Sequence, residues 1–236
     1  MNDRKKALVT GGATGIGRSA VLALAKAGYD VAINYASSAK AAQEVAALAQ
    51  EMGAKTMLLP CDVSDEVAVR AMLAQVEAQF GHLDALVNNA AISPKKPGGA
   101  RLNTLETSEH DWKTVFQINF FAPVMLARGL MDELVAAKGA VVNVTSIAGS
   151  RVHPFAGAAY STSKAALASL TREMAADFGP FGVRVNSISP GEIETSILSP
   201  GTEKLVAQIP QRRLGQPEEG LRWAQRAVEV DPEDAG

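Results

Sequence analysis

The chain has 236 residues, of which 47 % are hydrophobic and 20 % charged, and a formal net charge of −2. That composition suits one large α/β domain with a sizeable core, and the charge, without any basic stripe, argues against a nucleic-acid or anionic-membrane partner. Cys61 is the only cysteine, which excludes an intrachain disulfide, and no run of 18 apolar residues exists to span a membrane. The expected location is the cytoplasm.

The first apolar run, Lys6–Thr10, reads as a strand; its Ala7-Leu8-Val9 centre is too short for a signal-peptide core. An amphipathic segment, Ile16–Ala27, follows it. The alternation then continues with strand Asp30–Tyr35, helix Ala39–Met52, strand Thr56–Cys61, helix Glu66–Phe80 and strand Ala85–Asn89. A long helix over Glu109–Ala136, strand Gly139–Thr145, helix Tyr160–Phe178 and strand Arg184–Ser189 complete the pattern. The strands are short and mostly aliphatic, without polar alternation, as strands buried on both faces are. Strand and helix in alternation imply right-handed crossovers and a doubly wound parallel sheet of Rossmann type with helices on both faces. No repeat or linker divides the chain, so residues 1–236 are expected to form a single domain. Two loops interrupt the rhythm: Ser93–Asn103, with two prolines and two glycines, is expected to be exposed and mobile, and the other runs from Pro190 to Pro217. Both follow strands at their carboxyl ends, where open α/β sheets bind ligands.

Between the first strand and first helix lies Thr10-Gly11-Gly12-Ala13-Thr14-Gly15-Ile16-Gly17. A tight turn and close approach of a pyrophosphate to the backbone both call for glycine, and the helix start offers free N–H groups and its positive dipole end to the anion. Cofactor choice turns on the end of the second strand, where an acidic residue would hold a ribose 2′-hydroxyl and repel a 2′-phosphate. The chain reads Asn34-Tyr35-Ala36-Ser37-Ser38 there, with no carboxylate. Ser37 and Ser38 can bond a phosphate, while Lys40 is either a further phosphate partner or a solvated helix residue. NADP(H) is favoured over NAD(H) on this ground.

Tyr160 and Lys164 stand four residues apart in a helical pattern, so both leave one helix face. An ammonium held near a phenol favours the phenolate, and the tyrosine is expected to exchange a proton below its ordinary pKa of about 10. Ser146 follows a strand, where its hydroxyl either bonds a substrate oxygen or caps the next turn. Asn119 sits mid-helix, where asparagine is disfavoured, and Pro123 cannot donate to its carbonyl, which leaves an acceptor for water or simply kinks a helix around a buried amide. His153 and Phe155, with the Ser93–Asn103 loop, are candidates for substrate specificity; the alternative for His153 is a loop histidine facing solvent. His82, His110 and His153 are scattered and give no metal-ligand spacing, so no metal is expected.

Thr10-Gly-x-x-x-Gly-Ile-Gly17, Asn88-Asn89-Ala90, Ser146, Tyr160-x-x-x-Lys164 and Pro190-Gly191-Glu192-Ile193-Glu194-Thr195, in that order, resemble the short-chain dehydrogenase/reductase family over roughly residues 5 to 219. The resemblance implies an NAD(P)-dependent oxidoreductase that transfers a hydride between nicotinamide and a carbonyl or secondary alcohol, of 3-oxoacyl or sugar/polyol type. It implies Asn119, Ser146, Tyr160 and Lys164 as catalytic residues, with Asn119 supporting a water that contacts Lys164. It also implies Gly11, Thr14, Gly15, Ile16 and Gly17 at the phosphates, Asp62 and Val63 at the adenine, and Asn88 and Ala90 near the adjoining ribose. Pro190, Gly191, Ile193 and Thr195 would border the nicotinamide, with Thr195 at its carboxamide. Asp62 has an alternative as a turn aspartate, and Asn88 as an amide bridging strands. The family further implies a homodimer or homotetramer; an alternative to catalysis is an impaired dinucleotide-binding sensor or scaffold.

Three departures stand out. The interval from Ser146 to Tyr160 is one residue longer than is usual in the family, and the extra residue is expected in Ile147–Ala159, where Gly149 and Gly157 permit unusual dihedrals. Ala91 replaces a usual glycine. Residues 217–236 depart from the pattern: Pro217 with Glu218 and Glu219 begins a helical segment with a Leu221, Ala224, Val228 stripe, and the family's final strand is apparently missing, leaving six strands.

Overall fold

The computed structural model describes residues 4–195, 198 and 201–219. Strands β1 (Lys5–Val9), β2 (Tyr29–Tyr35), β3 (Thr56–Pro60), β4 (Ala85–Asn88), β5 (Ala140–Val144) and β6 (Arg184–Ile188) form one sheet in the order β3-β2-β1-β4-β5-β6. Every neighbouring pair is parallel, and the fold is Rossmann-like. The helices are α1 (Gly15–Lys26), α2 (Ala39–Glu51), α3 (Glu66–Phe80), α4 (Glu109–Phe116), α5 (Ala122–Gly129), α6 (Met131–Ala137) and α7 (Ala158–Phe178). The segment 217–229 and the place of a seventh strand lie largely outside the described residues.

The strands are mostly apolar because successive side chains enter two different cores, with polar residues such as Lys5, Asp30 and Asn186 among them. Ala7, Val9, Val31, Ile33, Val87 and Val142 pack with Val21, Leu24 and Val45 of α1 and α2 on one face. Leu8, Ala32, Leu86 and Val141 pack on the other face with Met72, Leu126, Leu134 and Met174 from α3, α5, α6 and α7. Because β1 leads outward to β2 but is flanked on its other side by β4, the chain reverses direction across the sheet at the β1–β4 boundary. A crevice opens there beyond the carboxyl ends of the strands.

The long helix expected over Glu109–Ala136 is instead broken. After α4, capped by the Ser108 hydroxyl accepting from the Asp111 N–H at 3.0 Å, residues Gln117–Phe121 form a π-turn in which the Ala122 N–H reaches back to the Gln117 carbonyl. Pro123 has no N–H to give the Asn119 carbonyl, and widening the turn by one residue accommodates that loss within the run. Leu130 then separates α5 from α6.

At the opposite end of the sheet Asp30 is 3 % exposed. Its carboxylate accepts from the Lys55 N–H at 2.8 Å and lies 3.0 Å from Lys6 Nζ and 3.1 Å from Arg4 Nε. Burial alone would raise its pKa, but the Lys55 N–H and the two cations outweigh that and hold the carboxyl below its ordinary value. Its stabilising effect is therefore present above about pH 4 and is lost as pH falls through the lowered value. Asp30→Ala is expected to cost about 3 kcal/mol at neutral pH, because it removes the buried carboxylate on which Lys6, Arg4 and the Lys55 N–H converge. Urea denaturation measures this, and an unchanged midpoint would show that the cluster does not hold β1, β2 and β3 together.

Candidate active site

The glycine loop is held from three sides. Thr10 Oγ1 accepts from the N–H groups of Asn89 and Ala90 at 3.0 and 3.1 Å. The Asn89 amide donates to the Thr10 and Gly11 carbonyls at 3.0 and 3.2 Å. Asn34 Oδ1 accepts from the Gly11 N–H at 3.3 Å, while its Nδ2 donates to the Leu59 and Cys61 carbonyls at 3.2 and 2.9 Å. Gly11 and Gly15 have φ of +61° and +52°, in the left-handed region. A Cβ on Gly17 would overlap the Gly11 carbonyl and the Asn89 amide, so Gly17 serves close packing of α1 against the loop. Thr14 precedes α1 without capping it through its side chain, and the first turn carries no acidic residue. The N–H groups there, with the positive end of the helix, suit an anion.

At the other end of the crevice, β5 delivers Ser146 and the first turns of α7 deliver Tyr160 and Lys164. Of the two roles that the sequence leaves open for Ser146, the cap is present. Its Oγ caps the 3-10 turn Ile147–Gly149 by accepting from the Ala148 N–H at 3.1 Å, and the same hydroxyl lies on the crevice wall with the Tyr160 phenol. Lys164 is buried, donates to the Val144 carbonyl at 2.7 Å and lies 5.9 Å from the centre of the Tyr160 ring. Burial brings its pKa down to about 7.

The expected depression of the Tyr160 pKa is overturned in the protein alone. Burial pushes the phenol above its ordinary value; the Ser146 hydroxyl opposes this, and the negative charge of Glu192 adds to it. Lys164 does not reverse the direction because its own charge is disfavoured by burial and its Nζ is turned to the Val144 carbonyl.

Asn119 is fully buried in the π-turn, and its side chain is engaged by protein. Oδ1 accepts from the Ile92 N–H at 2.9 Å, and Nδ2 donates to the Ile92 carbonyl at 3.0 Å and to Ser163 Oγ at 3.1 Å. Ser163 in turn donates to the Tyr160 carbonyl at 2.7 Å. Asn119 thus joins the segment after β4 to the first turn of α7. The glycines of the Ser146–Tyr160 interval do not supply unusual dihedrals: neither has a positive φ. A Cβ on Gly149 would lie 2.8 Å from the Ala165 nitrogen, so that glycine is needed for contact with α7.

The crevice wall brings together Gly11, Thr14, Gly15, Ile16 and Ala90 from the phosphate side. Ser146, Tyr160 and Lys164 meet Pro190, Gly191, Ile193 and Thr195 from the chemical side. Other expected residues lie elsewhere. Asn88 is a bridging amide, donating to Asn143 Oδ1 at 2.9 Å across β4 and β5, and Asn143 continues to Thr171 at 3.0 Å. Its neighbour Asn89, one step beyond the strand, lines the crevice instead, as do Ala91, Val144, Thr145 and Leu198. Asp62 adopts the turn alternative, accepting from the Ser64 N–H and hydroxyl at 2.9 and 2.7 Å. The Val63 side chain is buried in the core. Ser37, Ser38 and Lys40 are exposed beyond β2.

A second cavity opens on the other side of Tyr160 and Ser146. Ser93, Lys95, His153, Phe155 and Glu192 line it. The loop expected to be exposed is half-buried over Ser93–Lys96, where Lys95 pairs with Arg101 in an antiparallel bridge. The long second loop contains a 3-10 turn, Thr202–Gln208, and is tied by a parallel bridge between Ile193 and Gly215. Among the described residues no helix is long and apolar enough to cross a membrane.

Residues 11–224 match a family model described as enoyl-(acyl carrier protein) reductase. The chain is 36 % identical over 222 residues to the 3-oxoacyl-[acyl-carrier-protein] reductase FabG of Staphylococcus aureus, covering 92 % of this chain and 87 % of that protein. It is 64 % identical to Protein FixR of Bradyrhizobium diazoefficiens over 138 residues, which is 58 % of this chain and half of that relative's length. A 3-oxoacyl-[acyl-carrier protein] reductase from Brucella melitensis with bound NAD superposes with a TM-score of 0.87 at 30 % identity, covering 96 % of this chain and 85 % of that one.

Proposed function

We infer the reaction from one premise: the chain belongs to the short-chain dehydrogenase/reductase family and is an oxidoreductase. It exchanges a hydride between a nicotinamide dinucleotide and a carbonyl/secondary alcohol pair, with Tyr160 as general acid–base. The observation that carries this reading is that Tyr160 and Ser146 form the shared wall of two cavities, one running to the glycine loop and one lined by the loops after β4, β5 and β6.

The residues present fit the dinucleotide. Gly11 and Gly15 keep the phosphate cradle clear, and a Cβ at Gly15 would come 3.3 Å from Thr195 Cγ2. The start of α1 provides N–H donors for the pyrophosphate, and Thr195, Pro190 and Gly191 border the far end. When bound, the nicotinamide supplies or accepts the hydride. Ser146 orients the substrate oxygen, and Tyr160 gives that oxygen a proton in reduction or removes one in oxidation. A phenol held above its ordinary pKa remains protonated at neutral pH, which suits the donor role. Lys164 holds the Val144 carbonyl under the crevice floor and would contact the nicotinamide ribose of a bound dinucleotide, while Asn119 fixes the start of α7. Assembly as a homo-oligomer belongs to the same proposal; half-exposed Phe121, the last residue of the π-turn, is a candidate contact.

NADP(H) is the favoured cofactor. Asn34, which ends in the interior holding the glycine loop, leaves the edge of β2 to exposed Ser37 and Ser38, with no carboxylate to repel a 2′-phosphate. The ratio of kcat/KM for the two cofactors is expected to favour NADPH; a preference for NADH of about tenfold, or roughly 1.4 kcal/mol, would overturn this choice.

A further inference from the structure

The second cavity carries a charged wall that proton transfer at Tyr160 does not require. Lys95 comes from the loop after β4, His153 from the loop after β5 and Glu192 from the loop after β6, and all three meet there. His153 Nδ1 accepts from the N–H groups of Phe155 and Ala156, both at 3.2 Å. The ring proton therefore sits on Nε2, which donates to Glu192 Oε1 at 2.5 Å. The two side chains are 11 % and 10 % exposed. Lys95 Nζ donates to the Phe155 carbonyl at 2.5 Å. Burial lowers its pKa, against the opposing influence of Glu192, whose charge also reaches Tyr160.

A carboxylate with one oxygen held by His153 and an ammonium with donors beyond the Phe155 carbonyl thus border the space beside the phenol. Hydroxyl groups answer both, donating to the carboxylate and accepting from the ammonium. An alkyl or acyl chain would strip water from both charges without replacing a hydrogen bond. A substrate carboxylate or phosphate would gain from Lys95 but meet the repulsion of Glu192.

We propose that Lys95 and Glu192, with His153 as the positioning residue of Glu192, form a recognition site for a neutral polyhydroxylated carbonyl compound, an open-chain ketose or its polyol, in preference to a 3-oxoacyl thioester. The inference rests on the oxidoreductase reading above for its turnover, though not for its binding. D-xylulose, 2-pentanone and acetoacetyl-CoA are compared by kcat/KM in the wild-type protein, Lys95→Met and Glu192→Gln. The wild type is expected to favour the ketose over both others by at least about tenfold, and each variant, read against its own 2-pentanone rate, to lose most of that preference. Calorimetric titration of xylitol into the Tyr160→Phe protein with NADPH provides a readout independent of turnover, with affinity expected to fall about tenfold when either substitution is added. Wild-type preference for 2-pentanone or acetoacetyl-CoA overturns the proposal, as does xylitol binding that is absent or indifferent to both substitutions. If no carbonyl is turned over with either cofactor while xylitol binding still depends on Lys95 and Glu192, the hydride-transfer reading fails and the recognition site stands.

Discussion

Tyr160→Phe is expected to lower kcat by about 10²–10⁴-fold, the usual worth of a positioned general acid or base, while leaving cofactor binding nearly unchanged. The substitution removes one oxygen and keeps the ring that packs in the first turns of α7. Ser146 retains its bond from the Ala148 N–H at 3.1 Å, so the turn after β5 keeps its cap. The glycine loop is held by Thr10, Asn34 and Asn89 and does not depend on the phenol. The variant should therefore still gain thermal stability on addition of NADPH, as any ligand that binds only the folded state confers. A variant that retains more than about a tenth of the wild-type kcat, outside the range expected for loss of a general acid, would remove Tyr160 from the chemistry.

The difference between what the sequence reveals and what it conceals has a physical origin in this chain. The strands are readable because most of the sheet is buried on both faces, so each strand carries a short aliphatic run; β1 to β6 begin and end within one residue of their expected bounds. Tyr160, Lys164, Ser146 and the glycine loop are readable because each depends on local spacing at a strand or helix end. The π-turn is not, since Pro123 announces a missing hydrogen bond without saying how the backbone absorbs it. Asn88 and Asn89 are adjacent, and which one faces the crevice depends on where β4 stops pairing with β5. Asn88 is still in register with Asn143, so its amide is used inside the sheet and the crevice receives Asn89. The direction of the Tyr160 shift was hidden for a related reason: sequence shows that a lysine lies nearby, but desolvation depends on everything packed around both groups. Lys95, His153 and Glu192 meet only because three loops converge above one sheet edge, a juxtaposition no local periodicity records.

Lys164→Met is expected to separate function from stability: turnover should fall by roughly 10²-fold, while the protein without cofactor becomes more stable at pH 7. Lys164 is fully buried with its pKa brought down from 10.5 to about 7, whereas in the unfolded chain it is protonated at every pH below about 10.4. The folded state thus binds a proton less readily than the unfolded one. The resulting penalty is absent above the unfolded pKa, grows as pH falls toward 7, and is constant below that. At about 1.36 kcal/mol per pKa unit its full size is roughly 3–5 kcal/mol. Methionine fills a similar length without a charge, but it leaves the Val144 carbonyl without the donor it has at 2.7 Å, which returns about 1–3 kcal/mol of that gain. The net expectation is a stabilisation of about 2 kcal/mol at pH 7, shrinking as pH rises toward 10. Urea denaturation across that range measures both the sign and the slope. A variant less stable than wild type at pH 7, or a difference that does not change with pH, would mean that the buried ammonium is not the strained group. The expected outcome is instead a lysine kept at a cost to stability because the site requires it beside Tyr160.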